Sequence, residues 1–287
     1  MASTDPEEAD APLGWLRLEE LDRNVYRGFN VKTALPDRES LFGGQVAAQA
    51  LRAAAHTVPD GRLPHSLHGY FLRRGDPFRP VVFHVERNRD GRSFSARRVA
   101  ATQNAEVIFE MSASFHESEP GPEYTPPLPV VMPPEDCTPF TSFADLHVCV
   151  EVRLPIPPAN PASGREPNLD VLWSRIIVPV ESDIDNLCLL AFMSDLGSGF
   201  SHLALSHSYA FAPSLDHAMW FHSTLRADEW VLFDQRALKV GGHRGLYVGT
   251  AHNQQGTIGA MFTQEMLMRE RGADTHPPRS ASGEPHR

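Results

Sequence analysis

At 287 residues the chain is long enough for one large domain or two medium ones, and it carries 36 Asp and Glu against 26 Lys and Arg, a formal charge of −10. That sign argues against general nucleic-acid binding, which draws its affinity from neutralised phosphates, and no apolar run reaches the ~18 residues that a membrane span requires. Cys137, Cys149 and Cys188 are widely spaced with no CxxC, which fits a reducing cytoplasm better than a disulfide scaffold.

Residues 1–13 read as a disordered acidic leader without the apolar stretch of a signal peptide. The segment WLRLEELDRNVYRGFN (15–30) predicts a short helix leading into a strand. The run LFGGQVAAQALRAAAHTV (41–58) is small and apolar after Gly43-Gly44. Alanine favours helix, and a helix apolar nearly all round is buried. From 65 to 116 the pattern changes to strands, with Asp90-Gly91 a strong hairpin signal and Gln103-Asn104 a weaker one. Short turns imply antiparallel pairing, so the unit 14–116 is one buried helix followed by a sheet long enough to curl round it. The proline-rich stretch 117–168 reads as a linker over the surface with a short helix at 141–147. Residues 171–192 read as a helical lead-in to a second unit, 169–271. That unit repeats the plan with a helix near 195–208 and four strand segments, and 272–287 reads as a disordered tail.

The two units resemble each other at a fixed offset of 150 residues. Laying 41–116 over 191–266 places Phe42 on Phe192, Phe71 on Phe221, Phe83 on Phe233, Gly91 on Gly241, Ile108 on Ile258 and Met111 on Met261. A repeat of this kind implies two copies of one fold unit. Agreement between copies points to packing, and polar disagreement points to a role kept by one copy. Three mismatches qualify: Gln45 against Asp195, Pro64 against Ser214, and Ser114 against Gln264.

Each of these residues has a plain structural reading as well. An Asp at the start of a helix is most often an N-cap, a serine such as Ser214 is usually a loop residue, and a glutamine such as Gln264 an exposed strand residue. Between 73 and 98 eight arginines, among them Arg73, Arg97 and Arg98, face only Asp76, Glu86 and Asp90; the cluster suits a phosphorylated ligand or a solvated strand face. His65, His68, His217 and His222 flank the strands, and Asp216 beside His217 suggests either a dyad or core packing with Trp220 and Phe221. His202 and His207 are spaced poorly for a helical metal site, and HExxH, GxSxG and GxGxxG are absent. Gly43-Gly44 allows either close approach of another group or a tight turn.

A helix wrapped by a curled antiparallel sheet is the hotdog fold, and two in tandem resemble the acyl-CoA thioesterase II family. The resemblance rests on LFGGQVAAQAL (41–51), HSLHGYFLRRGD (65–76), DGRSFSARRVAATQN (90–104), IFEMSASF (108–115), DHAMWFH (216–222) and the closing strand with Gln264, and runs from about 16 to 270. It implies an α+β double hotdog that hydrolyses fatty acyl-CoA with a water held by Asp195, Ser214 and Gln264. Ser214 stands where many relatives carry threonine, whose β-branched rotor is more restrained. Asp195 would take the proton of that water, and backbone N–H groups of Leu196 and Gly197, at the expected start of the second helix, would hold the oxyanion. Arg73, Arg97 and Arg98 would meet the CoA phosphates. No cofactor and no metal is implied, and assembly would be a homodimer or homotetramer. The alternatives are a hotdog enoyl-CoA hydratase or dehydratase using Asp216 with His217, and a non-catalytic acyl-CoA-binding protein.

Overall fold

The computed structural model describes residues 11–31, 40–122, 124–141, 149–155, 168–203, 205 and 208–270. Most of the expected leader, nearly all of the short helix expected at 141–147 and the expected tail lie outside them. Among the described residues the strands are β1 (Leu18–Asp22), β2 (Val25–Gly28), β3 (Leu63–Phe71), β4 (Val81–Asp90), β5 (Phe94–Gln103), β6 (Glu106–His116), β7 (Thr138–Pro139), β8 (Val150–Leu154), β9 (Val171–Ile176), β10 (Tyr209–Ser214), β11 (Asp216–Phe221), β12 (Val231–Gly241), β13 (Arg244–Asn253) and β14 (Ile258–Glu270). Two α-helices, α1 (Gly43–Ala55) and α2 (Asp183–Met193), complete them. No described helix is long and apolar enough to cross a membrane.

The strands form one continuous antiparallel sheet in the order β1-β2-β4-β5-β6-β3-β11-β14-β13-β12-β9-β8-β7, with β10 also pairing β14. The run β4-β5-β6-β3 on one side of the centre is matched by β12-β13-β14-β11 on the other. β3 and β11 pair with each other from Tyr70↔Asp216 to Ser66↔Trp220, making a seam between the halves. Local turn chemistry closes the hairpins: the Gly91 N–H donates to Phe94 O (2.8 Å), and Asn104 and Ala105 both take positive φ between β5 and β6.

α1 is buried along Gly44–Leu51 and at Ala53 and Ala54, and it lies against β3, β4, β5 and β6. α2 starts at Ser182, whose hydroxyl accepts the Asp185 N–H, with Asp183 and Asp185 in the first turn as the helix dipole favours. Every residue from Leu187 to Met193 is buried. The helices pack on each other, and the Phe42 and Phe192 rings meet edge-on at 5.2 Å.

Three expectations change. Residues 15–30 make a short 3-10 turn (Gly14–Leu16) and then the β1–β2 hairpin, not a helix. Asn24 turns the chain with φ 62°, and Glu19 and Arg27, directly opposite, pair side chains (2.8 Å). The proline-rich stretch contributes β7 and β8, and Val150, Val152 and Leu154 alternate into the core. The second helix is 183–193, not 195–208, and 171–176 is the strand β9. The segment after α2 is glycine- and serine-rich, and a Cβ at Gly197 would lie 2.5 Å from Leu169 O and one at Gly199 2.7 Å from the Arg236 carbonyl carbon. The backbone is therefore laid flat against its neighbours as a loop.

The internal repeat is also less uniform than one offset. β3, β4 and β5 match β11, β12 and β13 at 150, but α2 starts 140 residues after α1. The last strand slips by one residue, so that Gln264 lies opposite Tyr247 and faces inward as Ala113 does. The slip is visible in exposure: Met111 is 1% exposed and Met261 40%. A one-residue slip moves every side chain to the other face of a sheet. Of the three polar mismatches only Pro64 and Ser214 are true counterparts.

Candidate active site

Asp195, Ser214 and Gln264 come together although they sit on three different elements. Asp195 lies two residues beyond α2, in a turn tightened by Ser194 N–H to Leu190 O (2.9 Å) and Leu196 N–H to Met193 O (3.1 Å). Ser214 ends β10, where a bulge breaks the pairing with β14. Gln264 points inward from β14 and is 1% exposed. Its side-chain nitrogen donates to Asp195 Oδ1 (2.9 Å) and to Ser214 Oγ (2.5 Å). Both amide protons are thereby used, so Ser214 is an acceptor here and its own proton points elsewhere.

The second Asp195 oxygen reaches across to the first half. The Gly44 N–H, in the first turn of α1, donates to Asp195 Oδ2 (2.8 Å). α1 has no side-chain cap at Phe42 and no acidic residue in its first turn. A carboxylate from 151 residues away takes both roles, in the position where a helix N-terminus stabilises negative charge. The glycine pair makes room for it. A Cβ at Gly43 would lie 2.9 Å from Asp195 Oδ2, and one at Gly44 2.5 Å from Phe192 O, 2.7 Å from the Phe42 ring and 3.0 Å from the Asp195 Cβ. Gly44→Ala gains helix propensity of up to ~1 kcal/mol. The carbonyl it strikes is backbone and cannot swing aside, and overpacking of this kind costs about 1–3 kcal/mol. We expect a net loss of stability in urea titration together with reduced turnover, because the N–H of residue 44 is moved off Asp195.

His217, buried on β11, completes the arrangement. Its Nδ1 lies 2.5 Å from Gln264 Oε1 and its Nε2 2.9 Å from Ser194 Oγ. The Asp216 carboxylate instead accepts the Glu265 N–H (2.8 Å), so the Asp216–His217 dyad is not formed. Burial holds the His217 imidazole below its ordinary 6.5, against the opposing pull of Asp195, the Gln264 hydrogen bond and Asp216. The unfolded chain takes up a proton near pH 6.5 and the folded chain does not. Stability from this group is complete above that value and is lost as the pH falls from there towards the depressed folded value. Urea midpoints are expected to fall over that window, with a shallower slope in His217→Asn.

Tyr247, directly across from Gln264, is fully buried between Phe200 (5.5 Å) and Phe262 (6.4 Å), and its hydroxyl is pushed up by burial and by Asp195 and Asp216. Burial also raises all three thiols, Cys137, Cys149 and Cys188, so none is poised as a thiolate.

Two expected groups fall elsewhere. Leu196 and Gly197 follow the C-terminal end of α2 rather than starting a helix, and the Leu196 N–H is spent on Met193 O. The helix N-terminus that does reach the site is that of α1. Arg97 is 1% exposed and faces the core, where its guanidinium holds Thr57 Oγ1 (2.7 Å), Thr57 O (2.8 Å), Arg89 O (3.0 Å) and Asp90 (2.6 Å). It cannot meet a ligand phosphate. Arg98, on the opposite face, pairs with Glu110 (3.0 Å), and Arg73 donates to Val107 O (2.8 Å) at the surface. Strand alternation alone separates 97 from 98, a signal available in the sequence. Spacing singles out His217 but pairs it with Asp216 rather than with Gln264 and Ser194, and it does not single out Ser194, since neither partner lies near it in the chain.

Residues 34–116 match the acyl-CoA thioesterase N-terminal domain family and residues 122–268 the corresponding C-terminal domain family. The chain is 37% identical over 284 residues to acyl-coenzyme A thioesterase 8 of Rattus norvegicus, covering 89% of this chain and 88% of that protein. Among solved structures it is similar to acyl-CoA thioesterase II TesB2 from Mycobacterium marinum, with 39% identity, a TM-score of 0.72 and coverage of 90% and 96%. A conserved protein of unknown function with a hot dog fold from Alicyclobacillus acidocaldarius shares the fold at a TM-score of 0.74 and 22% identity, over 92% of this chain and 98% of that one. The antiparallel sheet with few helices is of the hotdog type, and the acyl-CoA thioesterase relatives make the chain a thioester hydrolase. The chain belongs to the acyl-CoA thioesterase II family.

Proposed function

We propose that the protein hydrolyses fatty acyl-CoA to a free fatty acid and CoA, using a water held by Asp195, Ser214 and Gln264 in a tandem double hotdog whose units are 14–116 and 169–271. The observation that carries this reading is the single hydrogen-bonded cluster joining Asp195, Ser214, Gln264 and the α1 N-terminus. A carboxylate oxygen carries more than one lone-pair site, so bonds from Gln264 and Gly44 are compatible with a water on Asp195. Water attacks the thioester carbonyl carbon while its proton passes to Asp195. The tetrahedral intermediate collapses with cleavage of the C–S bond, and the proton leaves with the CoA sulfur. The Ser214 hydroxyl, an acceptor towards Gln264, donates to the water or the acyl oxygen. The oxyanion donors are first-turn N–H groups of α1 other than that of Gly44, favoured by the helix dipole.

The double hotdog is supported by the matched strand order on the two sides of the seam. A cytoplasmic location and assembly as a homodimer or homotetramer are part of this reading; Tyr70, Trp220 and Met261 stand exposed on the outer face at and beside the seam. The hydratase alternative loses its dyad, because Asp216 and His217 serve different partners. The test is release of free thiol from short, medium and long acyl-CoAs by the wild type and Asp195→Asn side by side. Release that collapses in the variant supports the reading, and no release at any chain length overturns it.

A further inference from the structure

We propose that His217, backed by Ser194, is a positioning residue that sets the amide of Gln264 with its nitrogen towards Asp195 and Ser214. This rests on the hydrolytic reading of those three residues. A glutamine amide is nearly symmetric in shape, and its terminal torsion is broad, so its orientation is decided by partners. Gln264 is buried, and its oxygen needs a donor. The group at that oxygen is His217 Nδ1, at 2.5 Å. An amide oxygen cannot donate, so Nδ1 carries the proton. In the neutral ring Nε2 is then an acceptor, and the Ser194 hydroxyl at 2.9 Å donates to it. Ser194 has one hydroxyl proton, and Ala191 O, 2.9 Å away on the last turn of α2, is the other acceptor within its reach. With the Ser194 proton on Nε2, the chain of direction runs from Ser194 through His217 to Gln264, and from there to Asp195 and Ser214. The charged groups near His217 are Asp195 and Asp216, and the Phe262 ring packs against it at 5.9 Å. The consequence reaches the reacting hydroxyl: with the Gln264 nitrogen fixed as donor, Ser214 is compelled to spend its proton away from Gln264.

The experiment compares His217→Gln, His217→Asn and Ser194→Ala in acyl-CoA hydrolysis. An asparagine places its NH2 where Nδ1 stands, whereas a glutamine places its own where Nε2 stands. We expect His217→Gln to lower kcat by roughly 100-fold, as a misplaced catalytic group does, with KM changed less than about threefold. His217→Asn should recover most of that loss, and Ser194→Ala should lose less than His217→Gln. In a Gln264→Ala background the His217 substitutions should have no further effect, because the group they orient is gone. Equal losses in the Asn and Gln variants, native kcat in His217→Gln, or additive losses in the Gln264→Ala background would overturn the proposal. Thermal melts identify a variant that fails to fold, and the Asn-against-Gln comparison is then repeated with Ser194→Ala as the readout of the same relay. Should Asp195→Asn keep its turnover, the hydrolytic reading itself has failed; should Asp195→Asn be inactive while His217→Gln is native, only the positioning role has.

Discussion

Asp195→Asn is expected to lower kcat by about 10²–10⁴-fold, the range that loss of a positioned general base commands. The change in stability is the smaller of the two effects. Asparagine caps a helix as well as aspartate does, so the Gly44 N–H keeps an acceptor. Aspartate, however, offers one oxygen to Gly44 and the other to Gln264, and asparagine has only one oxygen to give. The lost hydrogen bond to the carboxylate is worth about 1.5–3 kcal/mol. The folded fraction of the variant is therefore expected to lose turnover by the full factor while the urea midpoint falls by the equivalent of that one bond. Native turnover in the folded fraction, with the same loss of stability, would show that Asp195 matters mainly as the cap of α1.

Arg97→Ala is expected to do the reverse, costing about 3 kcal/mol or more of stability in urea titration while leaving KM for acyl-CoA unchanged in the folded fraction. The arginine is inaccessible to ligand, and its removal takes a donor from the Thr57 hydroxyl and carbonyl, the Arg89 carbonyl and the Asp90 carboxylate, although the Thr57 hydroxyl keeps Ala54 O (2.8 Å) and Asp90 keeps the Ser95 hydroxyl (2.8 Å). Asp90 remains partly solvated, which places the loss near the low end of broken buried pairs. Lysine in its place cannot fork across these acceptors, so Arg97→Lys recovers little. A raised KM with native stability would return Arg97 to the ligand site.

The strands were legible because alternation and turn residues encode them locally: Asp90-Gly91 and Asn104 mark hairpins that the structure forms. The helix of the second half was not, because it starts 140 residues after the first helix while the strands repeat at 150. The link from α1 to β3 is residues 56–62, and that from α2 to β10 is residues 194–208. A longer connection is nearly invisible to an ungapped comparison, yet it moves the helix and turns the expected helix start at Asp195 into a loop after a helix end. The one-residue slip at β14 is equally silent, since Met111 and Met261 match in kind and differ only in the face they occupy. Asp195, Ser214 and Gln264 are legible by residue type, and the structure brings them together despite the shifted helix. Gly44 and His217 are visible in the sequence but their partners are not, and Ser194 is not visible at all, because these contacts act across the fold and proximity in space is not written in sequence spacing.

The seam and the Gly44–Asp195 contact bear on how such a duplicated gene can change. On the proposed reading, the half that carries none of Asp195, Ser214 and Gln264 still owns the helix end that holds Asp195, so it is not free to drift. Recombination that exchanges one half between relatives must preserve both the Tyr70↔Asp216 register and the paired glycines at 43 and 44. Inheritance acts on the pair of halves as one unit, and inactivating changes will be found on both sides of the duplication.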